Sequence, residues 1–142
     1  MNHAKILIVD DDAMLGEQLR SLLGVLGHRA VYQGDQDKAL LLLEELNFDL
    51  VFCDYWLPPH GGRHFFEQLV RRRPEMAPRV IFLINGVLGD DTQFYIRSTG
   101  NLQLLKPFKL PAVQQVLQQA IADLPDAPPP RAAVGISPPP LN

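Results

Sequence analysis

The chain has 142 residues, 46% of them hydrophobic, enough for one globular domain with a complete core. Its formal net charge of −3 supplies no basic footprint, which argues against direct nucleic-acid binding. The single cysteine, Cys53, excludes an internal disulfide, and its place in an apolar run implies a buried, unreactive thiol.

The start MNHAKILIVD lacks the long apolar core and small-residue cleavage site of a secretion signal. No apolar run approaches the ~18 residues that a membrane span needs. The expectation is a soluble, cytoplasmic protein with no membrane contact.

Strand and helix patterns alternate five times. Lys5 to Asp10 is a continuous apolar run ending in acid, the pattern of a strand buried on both faces. Ala13 to Leu26 repeats its leucines at helical spacing, and Gly27 stops it. Arg29 to Gln33 reads as a second strand. Asp35 or Asp37 caps a helix that runs to Leu46. Leu50 to Asp54 is the third strand, followed by the turn segment Leu57-Pro58-Pro59-His60-Gly61-Gly62.

A third helix begins near Arg63 and stops before Pro74, because the residue before a proline resists helical geometry. Arg79 to Ile84 is the fourth strand. Asp90 to Ser98 is a weakly patterned helix between Gly89 and Gly100, and Leu102 to Leu105 is the fifth strand. Leu110 to Leu124 closes the domain as an amphipathic helix. Such alternation predicts an α/β fold, a doubly wound parallel sheet with right-handed crossovers, as one domain over residues 1–124. Seven of the 13 prolines fall in residues 125–142, where periodicity vanishes. That stretch reads as a flexible tail, with a ligand for a proline-reading module as the rarer alternative.

Asp10 and Asp11, Asp54, and Lys106 each stand where a strand ends. Singly each has an ordinary explanation: aspartates cap helices or form turns, and lysines are mostly solvated. Jointly they fall after the first, third and fifth strands of a flavodoxin-like sheet of order 2-1-3-4-5, whose switch point lies between the first and third. The carboxyl ends of such strands line the crevice where ligands bind. Carboxylates gathered there repel one another, and a divalent cation removes that repulsion.

These motifs, Ile6-Leu7-Ile8-Val9-Asp10-Asp11-Asp12, Asp54-Tyr55-Trp56-Leu57-Pro58 with Gly62, and Lys106-Pro107-Phe108, resemble the receiver domains of bacterial two-component response regulators from about Lys5 to Asp123. The resemblance implies that Asp54 is the phosphoacceptor and Lys106 a phosphoryl contact. It implies Mg²⁺ held by Asp11 and Asp54, by Asp10 mainly through water, and by the Trp56 carbonyl. It also implies a cis peptide at Lys106-Pro107.

Two positions depart from the family pattern. Ile84 stands where a Thr or Ser normally binds the phosphoryl oxygen, with Asn85 next to it as a substitute donor. Gln103 replaces the aromatic whose inward rotation reports activation. The expectation is weak coupling between phosphorylation and the fourth-helix surface. Trp56, two residues after the acceptor, either packs beside Pro58 or Pro59 or shields the acyl phosphate from water.

His60 and His64 complete no metal-ligand set. Arg71-Arg72-Arg73 reads as a solvated helix end. Gln114, Gln115, Gln118 and Gln119 give the last helix a neutral outer face.

The leading reading is a stand-alone receiver, not an enzyme. It takes phosphate from a sensor histidine kinase or histidine phosphotransfer protein, and signals through a partner on the face of the fourth helix, fifth strand and fifth helix. Homodimerisation through that face is compatible with it. The alternative is a phosphorylation-independent interaction module, a degenerate receiver. A hydrolase of the haloacid-dehalogenase type would need a second Asp where Trp56 stands.

Overall fold

The five expected strands form one parallel sheet. In the computed structural model, which describes residues 3–124, the elements are β1 (Lys5–Val9), α1 (Ala13–Val25), β2 (Arg29–Gln33), α2 (Gln36–Glu45), β3 (Leu50–Asp54), α3 (Gly62–Arg72), a 3₁₀ turn (Pro74–Arg79), β4 (Val80–Ile84), α4 (Asp90–Thr99), β5 (Gln103–Leu105) and α5 (Leu110–Ala122). The strand order is β2-β1-β3-β4-β5, all parallel, a flavodoxin-like doubly wound fold. The expected proline-rich tail lies outside the described residues.

The apolar runs are continuous because each central strand feeds two cores. Along β1, Leu7 and Val9 face one core with Ala39, Leu43, Phe65, Leu69 and Ile96. Ile6 and Ile8 face the other, with Leu19, Leu23, Val113 and Leu117. This is the two-residue alternation of a strand sandwiched between helix layers. Each fully buried Leu, Ile or Phe contributes roughly 1.5–3 kcal/mol relative to exposure, so the central strands are the anchors of the fold.

Local signals set the element ends. Asp12 caps α1 by accepting from Leu15 N, at 3.1 Å, and Asp35 caps α2 by accepting from Lys38 N, at 2.9 Å. Gly100 closes α4 in the left-handed region, with φ 75°. β1 ends at Val9 rather than Asp10, because Asp10 Oδ1 accepts from Asp12 N (2.9 Å) and turns the chain toward α1.

A further expectation fails. Arg71-Arg72-Arg73 is not a uniformly solvated helix end. Arg71 is exposed and Arg72 pairs with Glu44 at 2.8 Å, but Arg73 is only 5% exposed. Its Nε donates to Glu75 (2.8 Å) and its η-nitrogen to the Leu43 carbonyl at the end of α2 (2.9 Å). The reason is the 3₁₀ turn from Pro74, which the sequence pattern left unassigned and which folds Glu75 back over the guanidinium.

Candidate functional site

β1, β3 and β5 end at the same edge of the sheet and deliver the acidic residues and the lysine to one crevice. The Lys106 ammonium stands 2.7 Å from Asp10 Oδ2, an ion contact without good hydrogen-bond direction, and 3.4 Å from Asp54 Oδ1. The lysine is held from behind: its backbone N–H donates to the Ile84 carbonyl (2.8 Å), and the peptide to Pro107 is cis. Asp10 is fully buried and Asp54 only 3% exposed, whereas Asp11 is exposed at the mouth.

Burial, and then the neighbouring Asp10 carboxylate, push the Asp54 carboxyl above its ordinary range, against the opposing pull of Lys106 and the Trp56 N–H. For Lys106 burial works in the other direction, yet the close carboxylates of Asp10 and Asp54 outweigh it and raise its pKa. Burial pushes the Cys53 thiol well up, with Asp54 and Asp10 adding to it, so Cys53 is a protonated core residue.

Among the described residues, one group of acidic, histidine or cysteine side chains could share an ion: Asp10, Asp11 and Asp54, whose ligand oxygens lie within 4.8 Å of one another. The Lys106 ammonium pairs with two of these three carboxylates, Asp10 and Asp54, and an all-oxygen acidic set of this kind suits a hard divalent cation. His60 and His64 are neighbours of each other, ring centres 4.9 Å apart, outside this group.

Behind Asp54 the chain passes through a tight loop with a second cis peptide, Pro58-Pro59. Trp56 N donates to Asp54 Oδ1 (3.2 Å). Its indole is 48% exposed and meets the Tyr55 ring edge-on at 5.2 Å. Gly62 N donates to the Tyr55 carbonyl (2.8 Å), seating α3 on the loop.

Of the other positions singled out, Ile84 is half-buried at the end of β4, Asn85 is exposed in the following loop, and Gln103 is exposed at the start of β5. Ile84 and Gln103 line a cavity of about 310 Å³ together with Leu88, Gln93 and Arg97.

A family model described as the response regulator receiver domain matches residues 6–118. The chain belongs to this family. Receivers are the signalling modules of two-component phosphorelays. This receiver is 32% identical over 105 residues to the DNA-binding response regulator MtrA of Mycolicibacterium paratuberculosis, covering 74% of this chain and 45% of that protein. Among solved structures, it is similar to NtrX from Brucella abortus (TM-score 0.74, 27% identity, 86% of this chain and 27% of that one). The chemotaxis protein CheY4 of Vibrio cholerae shares the fold (TM-score 0.74, 22% identity, 83% of this chain and 98% of that one). The chain thus spans less than half the length of the curated relative it matches. Among the described residues, no helix is long and apolar enough to cross a membrane.

One residue beside the receiver's acidic pair escapes sequence patterning. Tyr32, from β2, donates its hydroxyl to the Asp10 backbone carbonyl. The signal that points to it is Gly16, a glycine inside a helix, where glycine needs a packing reason.

Proposed function

We propose that this receiver takes a phosphoryl group on Asp54 from the phosphohistidine of a sensor histidine kinase or a histidine phosphotransfer protein. The observation that supports this most is the pairing of one partly buried lysine with Asp10 and Asp54 at a strand-end crevice. An Asp54 carboxylate oxygen attacks phosphorus, the P–N bond breaks, and its electron pair returns to the imidazole nitrogen. Lys106, already oriented by the Ile84 carbonyl, meets the incoming negative oxygens. Phosphoryl transfer rests chiefly on such positioning and charge stabilisation. Asp10, Asp11, Asp54 and the Trp56 carbonyl would hold Mg²⁺, which when bound neutralises charge on the pocket and the phosphoryl group.

Output is proposed to run through a partner protein on the face formed by α4, β5 and α5, where Phe94 is 76% and Leu105 55% exposed beside Gln115 and Gln119. A second copy of the chain is one such partner. Ile84 offers no donor to a phosphoryl oxygen, so coupling from Asp54 to that face is weak. The half-exposed Trp56 indole shields the acyl phosphate, and Trp56→Asn should shorten its life several-fold; an unchanged dephosphorylation rate would remove that role.

Acetyl phosphate with Mg²⁺ should add the mass of one phosphoryl group, and Asp54→Asn should abolish the addition. Absence of any mass gain would favour the second reading, a phosphorylation-independent interaction module, for which Ile84 and Gln103 speak.

A further inference from the structure

Asp10 follows the last residue of β1 that pairs in the sheet: Val9 is the final partner of both Gln33 on β2 and Cys53 on β3. The Asp10 carbonyl therefore lies past the ladder, and the Tyr32 hydroxyl donates to it. The ring that carries this hydroxyl occupies a slot between two glycines from different elements. A Cβ on Gly16 of α1 would stand 2.3 Å from Tyr32 Cε1 and 2.4 Å from Cδ1. A Cβ on Gly34, after β2, would stand 2.8 Å from the hydroxyl and 3.4 Å from the Asp10 carbonyl oxygen. Neither glycine has a positive φ, so backbone conformation does not require them; room for this tyrosine does.

We infer that Tyr32 is a positioning residue for the divalent-cation site, acting through the Asp10–Asp11 peptide; the inference rests on the reading of Asp10, Asp11 and Asp54 as cation ligands. The peptide unit is planar, so the hydroxyl that fixes the Asp10 oxygen also fixes the direction in which the chain leaves toward Asp11. Asp12 N, donating to Asp10 Oδ1 at 2.9 Å, closes the same turn from the other side. Asp10 is buried, but Asp11 is exposed, and the orientation of this peptide is what brings its carboxylate within reach of the other two. Residues that orient metal ligands in this way typically change metal affinity ten- to hundredfold when removed.

The test is a Mg²⁺ titration of the full chain and of Tyr32→Phe, following the amide resonances of Asp11, Asp12 and Trp56, with urea unfolding of each protein in the absence of metal. Tyr32→Phe should unfold cooperatively and bind Mg²⁺ about tenfold more weakly. Its labelling of Asp54 by acetyl phosphate should be slow at low Mg²⁺ and equal to wild type at saturation. Gly34→Ala, which crowds the hydroxyl and keeps the tyrosine, should weaken Mg²⁺ binding in the same direction. Equal Mg²⁺ affinity in wild type and Tyr32→Phe would overturn the inference and leave the acceptor reading intact. A wild-type protein whose amides do not respond to Mg²⁺ would overturn both.

Discussion

Gly62 lies against Asp54 so closely that a Cβ on the glycine would stand 2.3 Å from the Asp54 carbonyl oxygen and 2.7 Å from Tyr55 Cα. Both are backbone atoms with no freedom to swing aside, and the contact fixes where α3 starts relative to the acceptor. Gly62→Ala should therefore destabilise the protein by about 1–3 kcal/mol, the usual penalty for overpacking. Urea unfolding measures it. A variant as stable as wild type would mean that α3 slides without strain.

Lys106 is the one cation within ion-pair reach of Asp10 and Asp54 among the described residues, and its side chain is 10% exposed. Lys106→Met leaves two buried carboxylates facing each other. The expected loss is about 3 kcal/mol in metal-free buffer, the lower end for removing one partner of a buried pair. Added Mg²⁺ should raise the urea midpoint of the variant more than that of wild type. An equal rise would separate the lysine from the cation site.

The acceptor should also be a stability liability at neutral pH. The folded-state pKa of Asp54 is raised above 3.8 by burial first and Asp10 second, so the folded protein holds this proton more tightly than the unfolded chain. Its ionisation opposes folding above the raised pKa, and the penalty disappears below the unfolded value, about pH 4. Asp54→Asn should accordingly stabilise the metal-free protein at neutral pH, with the gain shrinking to nothing as the pH falls through the acid range. Urea midpoints across that range check the sign: a variant weaker than wild type at neutral pH contradicts it.

Ile84 provides the sharpest test of weak coupling. A hydroxyl bonded to a charged phosphoryl oxygen is worth ~1.5–3 kcal/mol, roughly a ten- to hundredfold bias in a two-state equilibrium. With beryllofluoride and Mg²⁺, wild type should show amide shifts near Asp54 and small ones through α4 and β5. Ile84→Thr should extend them into α4. Large shifts across α4 and β5 in the wild type would refute weak coupling and point to Asn85 as the substitute donor.

Much of this molecule is legible along the chain because a parallel sheet covered on both faces needs uninterrupted apolar strands. Ile6 to Val9 and Leu50 to Cys53 supply them, and the polar residue that ends each run must stand at the sheet edge. That periodicity, with Asp12, Asp35, Gly27 and Gly100 at helix ends, marks the elements and their ends; the order β2-β1-β3-β4-β5 is expected from the flavodoxin-like resemblance, and the assembled sheet brings Asp10, Asp54 and Lys106 to one crevice. The contacts that Arg73, Tyr32 and Gly62 make were decided by tertiary structure. Arg73 reads as one of three equivalent arginines until the turn at Pro74 and the end of α2 enclose it. Tyr32 reads as an ordinary strand aromatic until its hydroxyl reaches a carbonyl 22 residues away, between two glycines. Gly62 stands in the motif around Asp54, but its physical reason shows only when α3 is seated against the Asp54 carbonyl. Periodicity records which face of an element is buried, because burial is a property of each residue. It carries no record of which distant atom a side chain meets, because that depends on how separate elements pack.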